Sequence, residues 1–207
     1  TALLASVGAL QSIYDQNKNL DNVIYTFSGG GKWNVSELTS GEIMAGYQHV
    51  QFSRASVNQP PPLSQFSRDT DSSSSFYFLG RLNWQATPLL RITLQPYRTI
   101  QQIVTTGSLF YTVTGVNLTA RHELTDSMTL NLNLGFEQND FQASSSSGAI
   151  GGSQRTDDLK NIAIGVDYRA VRWLGLGAQY IFEDRQSTQS QFIYQASTVM
   201  LSAQTLF

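Results

Sequence analysis

The chain contains no cysteine among its 207 residues. That absence excludes disulfide scaffolds, thiol nucleophiles and Cys-ligated metals. Charge is scarce as well: Asp, Glu, Lys and Arg make up 14% of the chain, against roughly 25% in soluble proteins. With a net charge of −2, no basic footprint marks a nucleic-acid partner. No apolar run approaches the roughly 18 residues of a helical membrane span. There are only two histidines, His49 and His122, and no D-x-D-x-D-G spacing of a calcium loop. Gly29-Gly30-Gly31-Lys32 is followed by Trp33 rather than by a helix, so it lacks the context of a phosphate loop. Three glycines inside a strand instead mark a bend or a close approach.

What the chain has is alternation. Ile162, Ile164, Val166 and Tyr168 alternate with Asn161, Ala163, Gly165 and Asp167, and Leu174, Leu176, Ala178, Tyr180 and Phe182 repeat the pattern. The run at 127–141 is the clearest, with Met128, Leu130, Leu132, Leu134 and Phe136 set against Thr129, Asn131, Asn133, Gly135 and Glu137. Period two predicts strands with one apolar face. The same reading covers 2–15, 20–35 (Val23, Tyr25, Phe27, Trp33 and Val35), 41–54, 76–85, 90–104 and 109–124. Val50 and Phe52 break the parity set by Ile43, Ala45 and Tyr47, which predicts a bulge near His49. Pro96 predicts a bulge or a local break in pairing.

The connections also alternate. Those near Ser36, Thr87, Thr125 and Val171 are short, whereas 55–75, with Pro60-Pro61-Pro62, and 143–155 are long. The last two hairpins are joined near residues 183–190. About ten strands of about 12–16 residues exceed the soluble mode of about five or six and suffice to cross a bilayer. Trp33, Trp84, Trp173, Tyr168, Tyr47 and Phe207 fall near strand ends, where interfacial girdles sit. The expected fold is an all-β, transmembrane, antiparallel up-and-down β-barrel forming one domain over 1–207, with long outer loops at 55–75 and 143–155. The final alternating run, with Val199, Leu201, Ala203 and the terminal Phe207, is the ending of an outer-membrane barrel. Short turns on the side of the termini place the C-terminus at the periplasm. The chain begins at Thr1 without Met or signal peptide; it is either a processed form or a piece of a longer protein.

The closing third also carries a family pattern. Arg155-Thr156-Asp157, Gly165, Asp167-Tyr168, Arg172-Trp173-Leu174, Tyr180 and Arg185-Gln186-Ser187 resemble the C-terminal pattern of the putative outer-membrane β-barrel porin type 2 family. The short units Glu37-Leu38-Thr39, Ala86-Thr87-Pro88 and Glu123-Leu124-Thr125 are similar. The resemblance implies an outer-membrane channel of a Gram-negative envelope, linked to exopolysaccharide or capsule export. Members tend to be longer, with more strands, so the chain would be the C-terminal part of a larger barrel or a reduced version.

Arg81, Arg91, Arg121, Glu137, Asp167, Arg169 and Glu183 fall mostly on the polar parity. They are read as candidate lumen charges, forming either a stabilising network or a solute-selecting eyelet. Arg155, Asp157, Asp158, Asp140, Asp184 and Arg185 flank the outer loops and read as solvated loop charge. His122, beside Glu123, falls on the lipid parity. His49 lies where a Ser or Asp from another strand could meet it, but no motif supports an enzyme, and none is expected. No catalytic, cofactor-binding or metal residue is expected, and no cofactor. The expected partners are the bilayer, lipopolysaccharide, the barrel-assembly machinery and envelope or polysaccharide-export components. The leading function is a porin-like channel. The alternative is an anchoring barrel that scaffolds an envelope complex without transport. A soluble β-sandwich lectin is the third class, distinguished by shorter strands.

Overall fold

The computed structural model describes residues 1–13, 15, 21–52, 72–105, 108–141 and 155–205. The alternating runs become ten strands: β1 (Ala2–Ser12), β2 (Asn22–Ser36), β3 (Thr39–Phe52), β4 (Ser72–Thr87), β5 (Leu90–Thr105), β6 (Ser108–Thr125), β7 (Met128–Phe141), β8 (Arg155–Val171), β9 (Leu174–Ser187) and β10 (Tyr194–Thr205). They form one antiparallel sheet in sequence order, each strand hydrogen-bonded to the next. Strand lengths of 11 to 18 residues meet or exceed the 9–11 or so that cross a bilayer, so the longer strands project beyond it.

Four two-residue turns define the other end: Glu37-Leu38, Pro88-Leu89, Asp126-Ser127 and Arg172-Trp173. Each is preceded by one register irregularity, between Asn34 and Ser36, Gln85 and Thr87, Glu123 and Thr125, and Arg169 and Val171. In three of the four, a hydroxyl at the strand end accepts from the amide two residues on: Ser36 from Leu38, Thr87 from Leu89 and Thr125 from Ser127. That local bond closes the turn without borrowing from the ladder. In two of the three repeated Leu/Thr units the hydroxyl is the unit's own Thr87 or Thr125, and in the first it is Ser36, just before Glu37-Leu38-Thr39. The fourth turn has Val171 at that position and no hydroxyl. β1 starts and β10 ends at this short-turn end.

Several boundaries move. Residues 72–75 belong to β4, where Ser72 to Ser75 pair with Gln51 to Gln48. The backbone ladder decides this, because serine on a solvated wall costs a strand little. Arg155 opens β8 rather than closing a loop. Residues 183–187 remain in β9, and the last connection shrinks to 188–193 around a 3-10 turn, Ser190–Phe192. Residues 53–71 and 142–154, which hold most of the two expected long loops, and Phe207 lie outside the described residues.

The bulge expected near His49 is absent: β3 pairs in unbroken register with β2 from Ser40 to Phe52 and with β4 from Thr39 to Gln51. Val50 is apolar on the inner face for a packing reason given below. At Pro96 the β4–β5 ladder is interrupted between Leu79↔Tyr97 and Leu82↔Leu94 without a change of register, as a residue lacking N–H requires. Gly30 answers for the glycine run: a Cβ there would lie 1.9 Å from the carbonyl oxygen of Ile43, whereas Gly29 and Gly31 have ordinary room. Backbone approaches backbone at that point.

The outer face carries Phe27, Ile43, Tyr47, Phe76, Leu82, Trp84, Phe136, Ile162, Ile164, Tyr168, Leu176, Tyr180, Val199 and Leu201, all exposed. This apolar belt is what a lipid-facing wall presents. The sheet is not closed: β1 and β10 each have one strand neighbour. Both edges are free of charged residues, with Leu3 92% and Leu201 80% exposed.

Candidate functional site: a polar cavity beneath an inward-folded hairpin

The inner face is the odd-numbered face of β4 to β9, as the pairing register shows. All seven candidate lumen charges stand on it. They are not linked to one another. Asp167 accepts from Asn131 (2.7 Å), Glu183 from Asn161 (3.4 Å) and Glu137 from Tyr97 (2.8 Å) and Asn139 (2.9 Å). Arg81 donates to Gln95 at 2.9 and 3.0 Å once the Gln95 amide is turned to face it. Arg91 and Arg121 are direct cross-strand neighbours near the short-turn end. Arg169 lies opposite Gly175. Four of the seven, Arg81, Glu137, Asp167 and Glu183, are thus held by amides or a phenol.

Arg81 and Glu137 meet in one cavity of about 470 Å³. Its lining includes Glu42, Gln95, Tyr97, Asn117, Asn133 and Asn161. Tyr97 is placed by a glycine. It pairs with Gly115 across β5–β6, and Gly115 pairs with Glu137 across β6–β7. The Tyr97 ring lies over Gly115, where an added Cβ would be 2.8 Å from both Cζ and the hydroxyl. The ring spans one strand and donates its hydrogen bond to the next. Asn117 Oδ1 is buried with no hydrogen-bond partner among the described residues.

Above the cavity, the β5–β6 hairpin parts from β4, while β6 stays paired with β7 up to Tyr111↔Phe141. The β4–β5 ladder ends at Phe78↔Arg98, yet β5 and β6 stay paired beyond Gln102↔Phe110. Ile100 and Phe110 have the parity of the outer face, but they are only 5% and 2% exposed and pack with Ile24 and Val50 from the inner face of β2 and β3. The hairpin has folded inward, laying its outer face on the inner face of the opposite strands. Val50 is apolar because it is a floor for this contact. Gln48 fixes it: its Oε1 accepts from Thr99 Oγ1 (3.0 Å) and from the Ile100 amide (2.9 Å), and its Nε2 donates to Thr26 Oγ1 (3.1 Å). Gln102 donates to Asn22 alongside. Burying Ile100 and Phe110 is worth about 1.5–3 kcal/mol each. With net hydrogen bonds of about 1 kcal/mol, lifting the hairpin costs several kcal/mol, so it is held rather than fluttering. Val50 stands about eleven positions beyond the turn, roughly 28 Å up a strand rising about 3.3 Å per residue and tilted about 40°. That is the outer rim of an apolar band about 25 Å tall.

The facing wall contributes a second inward contact. Asp157, expected in solvated loop charge, is fully buried on the inner face. Arg155 Nε lies 3.2 Å from its Oδ2, and Arg185 shares the same oxygen. The Arg155 guanidinium is sandwiched 3.6 Å from the Phe141 ring and 3.9 Å from Phe192 on the 3-10 turn. Tyr111 stacks at 4.7 Å on Phe141, its cross-strand neighbour in the β6–β7 ladder. This clamp pins the β9–β10 connection against the inner face of β8. Sequence spacing hid it because Arg155, Asp157 and Arg185 belong to two strands; their shared odd parity across paired strands was the available signal.

His49 Nδ1 does meet a serine, Ser74 Oγ, at 2.8 Å on the exposed outer face. Among the described residues no carboxylate bonds the ring, so nothing orients it as a base. His122 stands on the outer parity opposite Leu90 and Leu130. No group of three or more His, Asp or Glu among the described residues could hold a metal.

A family described as putative beta-barrel porin 2 matches residues 5–206. No curated protein matches the chain. Among solved structures, OmpT, an outer membrane protein of Vibrio cholerae, is similar at a TM-score of 0.45 and 12% identity, over 98% of this chain and 61% of that one. The chain therefore spans about three-fifths of that protein's length. The NanC porin is similar at 0.46 and 9% identity, over 99% and 94%. The outer membrane transporter YddB from Escherichia coli is similar at 0.43 and 10% identity, over 90% and 30%.

Proposed function

Since the chain belongs to the putative beta-barrel porin 2 family, a family of channel-like barrels of the bacterial outer membrane, we propose that it forms the wall of a channel for polyhydroxylated solutes, with exopolysaccharide as the cargo class. The observation that carries this is the cavity lined by Gln95, Tyr97, Asn117, Asn133 and Asn161. Amides and a phenol offer both donors and acceptors, so they replace the hydration of sugar hydroxyls without binding them tightly. Glu42 and Arg81 face each other across β3–β4, so the lining carries both signs and repels neither kind of ion outright. Single-channel recording in planar bilayers tests the reading. Stepwise conductance, blocked in a concentration-dependent way by oligosaccharides, is expected; a folded protein with no conductance would refute it.

A channel needs a closed wall, since unpaired strand edges are not tolerated in hydrocarbon. In the membrane the edges of β1 and β10 are therefore paired, and their lack of charge suits that burial. The short turns lie on the side of the termini, which supports a C-terminus facing the periplasm. Lipopolysaccharide around the belt, the barrel-assembly machinery and export components are the partners this arrangement calls for. The inward-folded mouth favours a second reading, an anchoring barrel without transport, which the same recording separates.

A further inference from the structure

We infer that the stem of the β5–β6 hairpin is the constriction that decides what enters this barrel, and that Gln48 is its latch. The inference rests on the channel reading for its meaning, but its geometry stands independently. A wall strand has one face to lipid and one to the lumen. In the stem the outer-parity face is buried as well, while inner-parity Gln101 stays exposed. Ile100, Phe110 and Thr112 are buried on the outer parity, and Val113 on the inner parity is fully buried. The outer-parity face rests on Ile24 and Val50. On the inner parity Tyr111 stacks on Phe141, its direct cross-strand neighbour, which ties the stem to β7. The stem is therefore laid from the β7 side of the wall onto the inner face of β2–β3, narrowing the mouth, with the 470 Å³ cavity on the short-turn side of it.

Gln48 is placed to control this contact. It is a buried polar side chain on the inner face of β3. It reaches the stem through a side-chain and a backbone group at once, while its other end is tied to Thr26. A residue that only filled the wall would not need to receive the Ile100 amide. That amide is left to Gln48 because the β4–β5 ladder has already ended. The solutes admitted are those that pass beside the stem, and the specificity-determining positions are Gln48, Val50, Thr99 and Ile100.

The chain has no cysteine, which makes the test clean. Asn161→Cys places one thiol in the cavity lining, and its rate of modification by a bulky water-soluble maleimide reports access. Gln48→Leu keeps the side-chain volume and removes the three bonds; Ile100→Asp adds a charge to the apolar contact. Folding of each variant is checked by heat-modifiable gel migration. Because access scales with the fraction of molecules in the open arrangement, Gln48→Leu is expected to raise labelling and open-channel conductance by about tenfold or less, and Gln48→Leu/Ile100→Asp by more. A disulfide between Asn22→Cys and Gln102→Cys, in the same background, is expected to return both to the starting value until a reductant is added. Folded variants that label and conduct like the parent would overturn the hairpin assignment and leave the channel reading standing. Labelling that rises on unlatching, with no conductance in any variant, would refute the channel reading and support the constriction.

Discussion

Gly115→Ala provides the sharpest test of how the cavity is built. Strand propensity alone says that replacing glycine by alanine stabilises a strand interior by roughly 0.5–1 kcal/mol. The structure gives the opposite sign. The new Cβ would stand 2.8 Å from Cζ and the hydroxyl of Tyr97 and 2.9 Å from the carbonyl oxygen of Phe136. The ring is part of a wall and cannot yield by a few tenths of an ångström without withdrawing its hydroxyl from Glu137, 2.8 Å away. A hydrogen bond to a carboxylate contributes about 1.5–3 kcal/mol. After the propensity gain is set against it, Gly115→Ala is expected to destabilise by about 1–2 kcal/mol. Tyr97→Phe, which removes the bond and keeps the ring, should lose a similar amount. In a Tyr97→Ala background the part of the Gly115→Ala penalty due to the ring should vanish, a coupling energy of about 1–2 kcal/mol, while the contact with the Phe136 carbonyl remains. Urea unfolding in lipid vesicles, followed by fluorescence of the three tryptophans, measures all four corners of the cycle. A neutral or stabilising Gly115→Ala would show that the ring does not lie over Gly115, and the derivation of the cavity would fail with it.

Asp157→Ala leaves Arg155 and Arg185 without their shared carboxylate. A loss of about 3–5 kcal/mol is expected for an uncompensated buried partner, read as a lower unfolding midpoint and as new protease cleavage within 188–193. Leu201→Arg puts a charge on the outer face of β10, where about 2–4 kcal/mol is lost at mid-bilayer and less towards the interface; slower assembly into vesicles is the readout, and an outer face in water would show no effect. Glu137→Gln removes one negative charge from the cavity lining. Reversal potentials across a salt gradient should shift towards anions, and an unchanged potential would mean that permeating ions do not pass Glu137. Gly46→Ala would bring a Cβ to 1.9 Å from the Phe27 carbonyl oxygen; a folded yield equal to the parent would contradict the close approach of β2 and β3.

Period-two alternation, the four short turns and the length of the strands were all present in the chain, and they define ten antiparallel strands with an apolar outer face. These features are legible because strand parity and turn chemistry are local: Ser36, Thr87 and Thr125 each act on an amide two residues away. Even the candidate lumen charges could be assigned to a face, since parity needs no partner. Their bonding could not. Glu137 is held by Tyr97 from two strands away, and Asp157 is buried by residues on β8, β9 and the turn after it. Val50 shows the limit most clearly. Read locally, an apolar residue on the polar parity means a bulge, because a slip of one residue is the cheapest way to restore alternation. The tertiary structure keeps the register and brings Ile100 and Phe110 across the mouth to cover it. Alternation reports only which face a side chain occupies. Whether that face meets lipid, water or another part of the same chain is decided by where the strands lead, and for the hairpin above Arg98 they lead inward.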